Sequence, residues 1–164
     1  MREVTFAAVY ERYARDVYRF ALYLSGNRAL ADDLASETFT RAWVARDRIR
    51  AGTVKAYLLM ITRNLYRDLI RKRTDVSIDA AWSVTDTAPD PQAVSVARSD
   101  LDTVLAALRA LPESERSVLL MATVGGVAYE EIAVAFGITP AAVKVRVYRA
   151  RVKLNAARST GEPT

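Results

Sequence analysis

A chain of 164 residues, 51% of them hydrophobic, has room for one ordinary domain or two small ones with real cores. It contains no cysteine and no histidine, which removes disulfides, thiolate and His-based metal sites, the Ser-His triad and the usual general base at neutral pH. The formal net charge of +5 points to an anionic macromolecule, and neither enzymatic activity, a metal, a cofactor nor a small-molecule substrate is expected.

The first predicted helix covers residues 5–24. Phe6, Val9, Tyr13, Val17, Phe20 and Leu24 recur at three and four residues and form one apolar stripe, with Thr5 as a cap. Ser25-Gly26-Asn27 stops it, and Asn27 is placed to cap a second helix over about residues 28–45. That helix carries two adjoining rows: Leu34, Thr38 and Ala42, then Ala35, Phe39 and Trp43. Its early turns hold Asp32, Asp33 and Glu37, where carboxylates suit the helix dipole. A polar break over residues 46–53, with Arg46, Arg48 and Arg50, precedes a third helix from Val54 to about Arg73. Tyr57, Leu58, Ile61, Leu65 and Leu69 are its inward residues. Lys55, Arg63, Arg67, Arg71, Lys72 and Arg73 take its outer face and end. Three such helices close a small bundle. Residues 1–73 hold 15 basic and 8 acidic side chains.

From residue 74 to about 99 no period holds. Pro89 and Pro91, with Asp75, Asp79, Asp86 and Asp90, mark a flexible acidic linker, in which Trp82 is out of place and suggests docking. A second bundle begins at Asp100, with Leu101, Val104, Leu105, Leu108 and Leu111 on one stripe. Leu111-Pro112 turns into a helix to Val124, which Gly125-Gly126 ends.

Next comes a helix over residues 129–136, a turn, and a second helix over residues 140–154. Gly137 suits a left-handed helix end, Thr139 caps the next helix, and Pro140 takes its first position. This is a helix-turn-helix pattern, whose second helix enters the DNA major groove. At 3.6 residues per turn, Val143, Val147, Ala150 and Leu154 face Ile132, Ala133 and Phe136, while Ala141, Val145, Tyr148, Arg149 and Val152 point away. Lys144 and Arg151 lie on one flank, Arg146 and Lys153 on the other, and no acidic residue occurs from Val143 to Ala157. The competing reading, a merely solvated basic helix, does not account for the capping and turn residues beside it. Residues 159–164 read as a disordered tail. The fold class expected is all-α: two small helical bundles joined by a flexible acidic linker, the second ending in the helix-turn-helix.

These words, in this order, resemble the extracytoplasmic-function (ECF) sigma factors of bacterial RNA polymerase. In the first bundle they are Asp32-Asp33-Leu34, Glu37-Thr38-Phe39, Arg41-Ala42-Trp43, Arg63-Asn64-Leu65 and Asp68 before Arg71-Lys72-Arg73. In the second they are Leu111-Pro112, Tyr129-Glu130-Glu131-Ile132-Ala133, Gly137, Val143-Lys144 with Arg146, and Arg149-Ala150-Arg151. The resemblance implies a region-two domain over residues 1–74 that binds core polymerase and opens the −10 element. It further implies a linker over 75–99 and a region-four domain over 100–158 that binds the −35 element. Asp32, Asp33, Glu37 and Phe39 take the polymerase-binding positions. Arg46, Arg48 and Arg50 fall in the loop that captures an unstacked base, and Lys55, Arg63, Arg67, Arg71, Lys72 and Arg73 track the opening duplex. Tyr57 and Tyr66 are stacking candidates, although Tyr57 lies on the inward stripe. Lys144, Val145, Tyr148 and Arg149 take base-facing positions, and Arg146, Arg151 and Lys153 grip phosphates. The partners implied are core RNA polymerase, promoter DNA (duplex at −35, single-stranded at −10) and an anti-sigma factor.

Three departures stand out. Ser36 replaces a frequent glutamine, and Val145 a small hydroxyl residue. Leu59 and Met60 replace more polar residues, as if another protein covered them. Two rivals remain: a dimeric helix-turn-helix regulator that reads a palindrome without polymerase, and a helical interaction module without DNA. No apolar run approaches the roughly twenty residues that cross a bilayer, and residues 1–6 lack the apolar core of a secretory signal, so a cytoplasmic location is expected.

Overall fold

In the computed structural model, residues 5–76 and 96–161 are described. Their regular elements are all helical. In order they are α1 (Phe6–Ser25), α2 (Arg28–Val44), α3 (Val54–Val76), α4 (Val96–Arg109), α5 (Glu113–Thr123), α6 (Tyr129–Phe136) and α7 (Pro140–Gly161). Two short 3-10 turns, Arg46–Arg48 and Ala51–Thr53, join α2 to α3. Most of the expected linker, including Asp79, Trp82, Asp86, Pro89, Asp90 and Pro91, lies outside the described residues.

Local chemistry sets most of the boundaries. The Thr5 hydroxyl accepts from the Ala8 amide at 3.3 Å, and Asn27 Oδ1 accepts from the Leu30 amide at 2.9 Å, each satisfying an amide that has no partner within its helix. Gly26 ends α1 at φ 70°, in the left-handed region that favours glycine. Three expected boundaries move outward: α3 continues to Val76, α4 starts at Val96 rather than Asp100, and α7 continues through Gly161. The tail expected to be disordered from Ser159 is therefore helical as far as Gly161. No glycine or proline interrupts the sequence between Pro140 and Gly161, so no breaker stops the helix earlier.

α1, α2 and α3 form the first bundle, centred on Val17, Phe20, Leu24, Leu34, Ala42 and Leu58. Two buried hydroxyls cross it: Thr38 Oγ1 and Thr62 Oγ1 lie 2.8 Å apart. Each also reaches the carbonyl one turn back, Leu34 O at 2.6 Å and Leu58 O at 2.9 Å. Such pairing removes the penalty of burying a polar group. In the second bundle Leu105, Leu108 and Leu111 are buried as expected, but Val104 is exposed. α4 buries a narrower stripe than its apolar pattern suggests.

The largest difference from the sequence reading lies between the bundles. They share one continuous hydrophobic core; α5 packs on α1 and α3, and α6 packs on α3. Leu59, expected to await another protein, is fully buried against this chain's own second half. A Cβ on Gly125 would stand 2.7 Å from Leu59 Cδ1 and 2.7 Å from the Met121 carbonyl oxygen. Only glycine lets the turn after α5 come this close.

Candidate nucleic-acid interface

The helix-turn-helix forms as its sequence dictates. Gly137 closes α6 at φ 66°, and the Thr139 hydroxyl accepts from the Ala142 amide at 3.1 Å, with Pro140 opening α7. Val143, Val147 and Ala150 are buried, against the buried Ile132 and Ala133 of α6. The opposite face of α7 is open: Val145, Tyr148 and Val152 are exposed apolar side chains, Tyr148 at 69%, and Lys144, Arg149 and Arg151 are exposed beside them. Arg146 is half-buried. Lys153 Nζ donates to Glu115 Oε2 at 2.8 Å, so one of the expected phosphate contacts is already paired within the fold.

The basic face of α3 is in a different state. Arg63, read as an outer residue, is 8% exposed. Its Nε and Nη2 donate to the two carboxylate oxygens of Glu113 on α5, at 2.8 and 3.1 Å, and its guanidinium lies 4.3 Å from the Phe136 ring centroid. Such a forked pair is among the stronger side-chain contacts. Arg67 reaches the same carboxylate at 3.8 Å, Lys55 pairs with Asp16 at 3.5 Å, and Arg71 pairs with Asp68. Tyr66, a stacking candidate, is buried, with Arg116 Nη2 donating to its hydroxyl at 3.4 Å. Lys72 is exposed at the end of α3, as are Arg48 and Arg50 between α2 and α3.

Residues 46–53 are less free than a polar break suggests. Ile49 is buried between the two 3-10 turns. Arg46 lies over the Trp43 ring at 3.9 Å and donates to the Trp43 carbonyl at 2.8 Å. Trp43 in turn meets Phe6 edge-on at 5.1 Å. An anchored loop of this kind holds a shape, which matters where an unstacked base must be received.

On α2, Asp32, Asp33 and Glu37 are exposed on one acidic surface. Glu37 accepts from Arg41 Nε at 3.2 Å, an exposed contact that leaves it accessible. Phe39 is not on that surface; it is buried, edge-on to Phe6 and Tyr10 at 6.4 and 4.8 Å. Its place is beneath the acidic helix, which it holds against α1. A groove of about 550 Å³ runs between the start of α3 and α6, with Tyr57, Met60, Val134 and Ala135 in its wall; Val134 is 84% exposed.

Sequence reasoning missed Glu113, Arg116 and the Thr38–Thr62 pair. Glu113 reads as an ordinary acid at a helix start, and nothing local announces a partner fifty residues away. Among the described residues no group of three His, Cys, Asp or Glu side chains could hold a metal, and no helix is long and apolar enough to cross a membrane.

Residues 9–76 match the family model for Sigma-70 region 2, and residues 101–154 that for Sigma-70, region 4. The chain is 34% identical over 148 residues to the ECF RNA polymerase sigma factor SigE of Mycolicibacterium smegmatis, covering 87% of this chain and 57% of that relative's length. It is 38% identical to the ECF RNA polymerase sigma factor EcfG of Rhodopseudomonas palustris over 84% of this chain and 76% of the relative. With the ECF RNA polymerase sigma factor SigM of Bacillus subtilis it shares 30% identity over 96% and 98%. Among solved structures, the sigma factor RpoE in complex with the anti-sigma factor NepR from Bartonella quintana superposes with a TM-score of 0.77 at 28% identity, covering 96% and 98% of the two chains. CnrH in complex with the cytosolic domain of CnrY gives 0.72 at 26% identity, covering 96% and 89%.

Proposed function

The chain belongs to the ECF sigma factors of bacterial RNA polymerase, and we propose that it binds core polymerase, selects a −35/−10 promoter and helps open it. The observation that carries this reading is the open face of α7, apolar and basic together, on a chain whose two halves match region 2 and region 4 in order. Val145, Tyr148 and Arg149 face base edges at −35, where Arg149 suits guanine and Val145 a thymine methyl. Lys144, Arg146 and Arg151 grip phosphates, with Lys153 a lesser contact because Glu115 holds it. Asp32, Asp33 and Glu37 form the face for a basic element of polymerase, positioned by Phe39 beneath them.

At −10, the anchored loop with Arg48 and Arg50 receives an unstacked base, and Arg67, Arg71, Lys72 and Arg73 follow the strand. Arg63 and Tyr66 reach DNA only after α5 leaves α3, so strand opening requires the two bundles to separate. The role is one of binding and positioning without covalent chemistry, and its partners place it in the cytoplasm. RpoE was solved with the anti-sigma factor NepR, and CnrH with the cytosolic domain of CnrY. We assign such a partner to this chain as well, at the apolar groove between α3 and α6 that contains Met60 and Val134.

The direct test is run-off transcription with purified protein and core polymerase on a −35/−10 template, with a matched template lacking the −35 element. Transcripts from the first template only are expected. No transcripts, together with tight binding of the protein alone to a palindrome, would replace this reading with that of a dimeric regulator. Glu37→Lys weakens binding to core polymerase while its circular dichroism stays unchanged; equal core affinity removes Glu37 from the interface.

A further inference from the structure

Between α3 and α5 lies an open cleft of about 780 Å³, with Arg67, Asp68, Arg71, Glu113, Arg116 and Tyr66 in its wall. Arg116 is its unusual member. It is 6% exposed, yet its Nε has no hydrogen-bond partner, and its guanidinium makes one long donation, 3.4 Å to the Tyr66 hydroxyl. The carboxylates of the cleft are committed to other side chains. Glu113 holds Arg63 at 2.8 Å, Ser117 at 2.6 Å and Arg67 at 3.8 Å, and Asp68 pairs with Arg71. A guanidinium withdrawn from water without a counter-charge is costly, and the cost falls when an anion accepts from it. Arg67 and Arg71 add charge of the same sign on the side open to solvent.

We propose that this cleft binds a small, multiply charged phosphate compound, with Arg116 at its base and Arg67 and Arg71 closing on it from α3. Phosphate oxygens match the guanidinium fork, and the volume is that of a small-molecule site. Arg116 is the one of the three arginines without a carboxylate partner, and Arg67 and Arg71, each sharing an acid with this fold at the surface, can turn to a second and third phosphate oxygen. Because the wall belongs to both bundles, an occupant ties α3 to α5; on the sigma-factor reading this holds the chain in the arrangement that hides Arg63 from DNA.

The test is isothermal titration of the full chain with inorganic pyrophosphate at fixed ionic strength, against sodium chloride alone. Saturable binding at one site per chain is expected. Arg116→Gln weakens it about tenfold or more, the loss that one charge-assisted hydrogen bond carries, and the exposed Arg71→Gln weakens it less. Arg12→Gln on α1 leaves it unchanged. Circular dichroism checks that Arg116→Gln folds; if it does not, Arg71→Gln and Arg67→Gln decide alone. Absence of saturable heat overturns the proposal, as does equal weakening in Arg12→Gln and Arg71→Gln. An unphosphorylated single-stranded oligonucleotide that displaces pyrophosphate and depends on Arg116 more strongly assigns the cleft to the DNA backbone, and overturns it too. The measurement needs no transcription, so failure of the sigma-factor reading leaves its result standing.

Discussion

α3 and α7 are both basic helices interleaved with apolar residues, yet the fold treats them oppositely. α7 buries one stripe on α5 and α6 and leaves Val145, Tyr148 and Arg149 open. α3 is covered on two sides: Leu58 and Thr62 turn to the first bundle, while Leu59, Arg63 and Tyr66 lie under α5, α6 and the turn between them. Charge therefore names the kind of partner but does not say which cations are available to it. Availability is decided by contacts distant in sequence, and on α3 one carboxylate, Glu113, decides much of it.

If that contrast is right, the largest effect follows from removing the side chain that joins the halves. Leu59→Ala should lower the unfolding free energy by about 2–5 kcal/mol, the range for a buried leucine, measured by urea denaturation. A cost well below 1 kcal/mol would mean that the bundles are not held together through α3. Glu113→Ala comes next. It leaves Arg63 without its partner and should cost about 2 kcal/mol, while widening the particle in small-angle scattering and raising affinity for single-stranded DNA. An unchanged radius with unchanged affinity would show that Glu113 does not control access to α3. On the open helix, Arg149→Ala should cost about 1–3 kcal/mol at one −35 base pair. A loss spread evenly over all sequences would make Arg149 a phosphate contact and remove the base-reading half of the contrast.

What the sequence made legible follows the range of the interactions. The caps at Thr5, Asn27 and Thr139 and the left-handed Gly137 depend on residues within a turn or two, and the stripe of α7 on the period of one helix; the caps formed as read, and of the stripe Val143, Val147 and Ala150 are buried and Leu154 half-buried. The open face of α7 was legible for the same reason: one stripe goes in, so the opposite face comes out. Arg63 and Leu59 were misplaced because an arginine on an outer row and an apolar pair beside it have no local partner. Phe39 sat within an acidic word, and its row does not explain its burial, since Ala35 is half-buried and Trp43 exposed; Phe6 and Tyr10 of α1 cover it. The role of Gly125 was invisible, since a glycine pair after a helix reads as a stop whether or not a leucine from another helix lies against it.

The smallest effect tests the contrast within α7 itself. Lys153 and Arg151 are two residues apart on a helix without acids, and charge alone gives them the same duty. The fold distinguishes them: Lys153 is bridged to Glu115, whose carboxylate is mostly buried, while Arg151 is exposed. A half-exposed pair of this kind stabilises by less than about 1 kcal/mol, so Lys153→Ala should barely move the urea midpoint. Its consequence for DNA binding is more telling. A cation that neutralises a phosphate releases a counterion, and its loss lowers the slope of log affinity against log salt by about 1. Arg151→Ala should show that drop on a −35 duplex. Lys153→Ala should show only a fraction of it, because Glu115 already compensates part of its charge. Equal drops would mean that Lys153 leaves Glu115 when DNA arrives, and α7 would then be as dependent on a conformational step as α3.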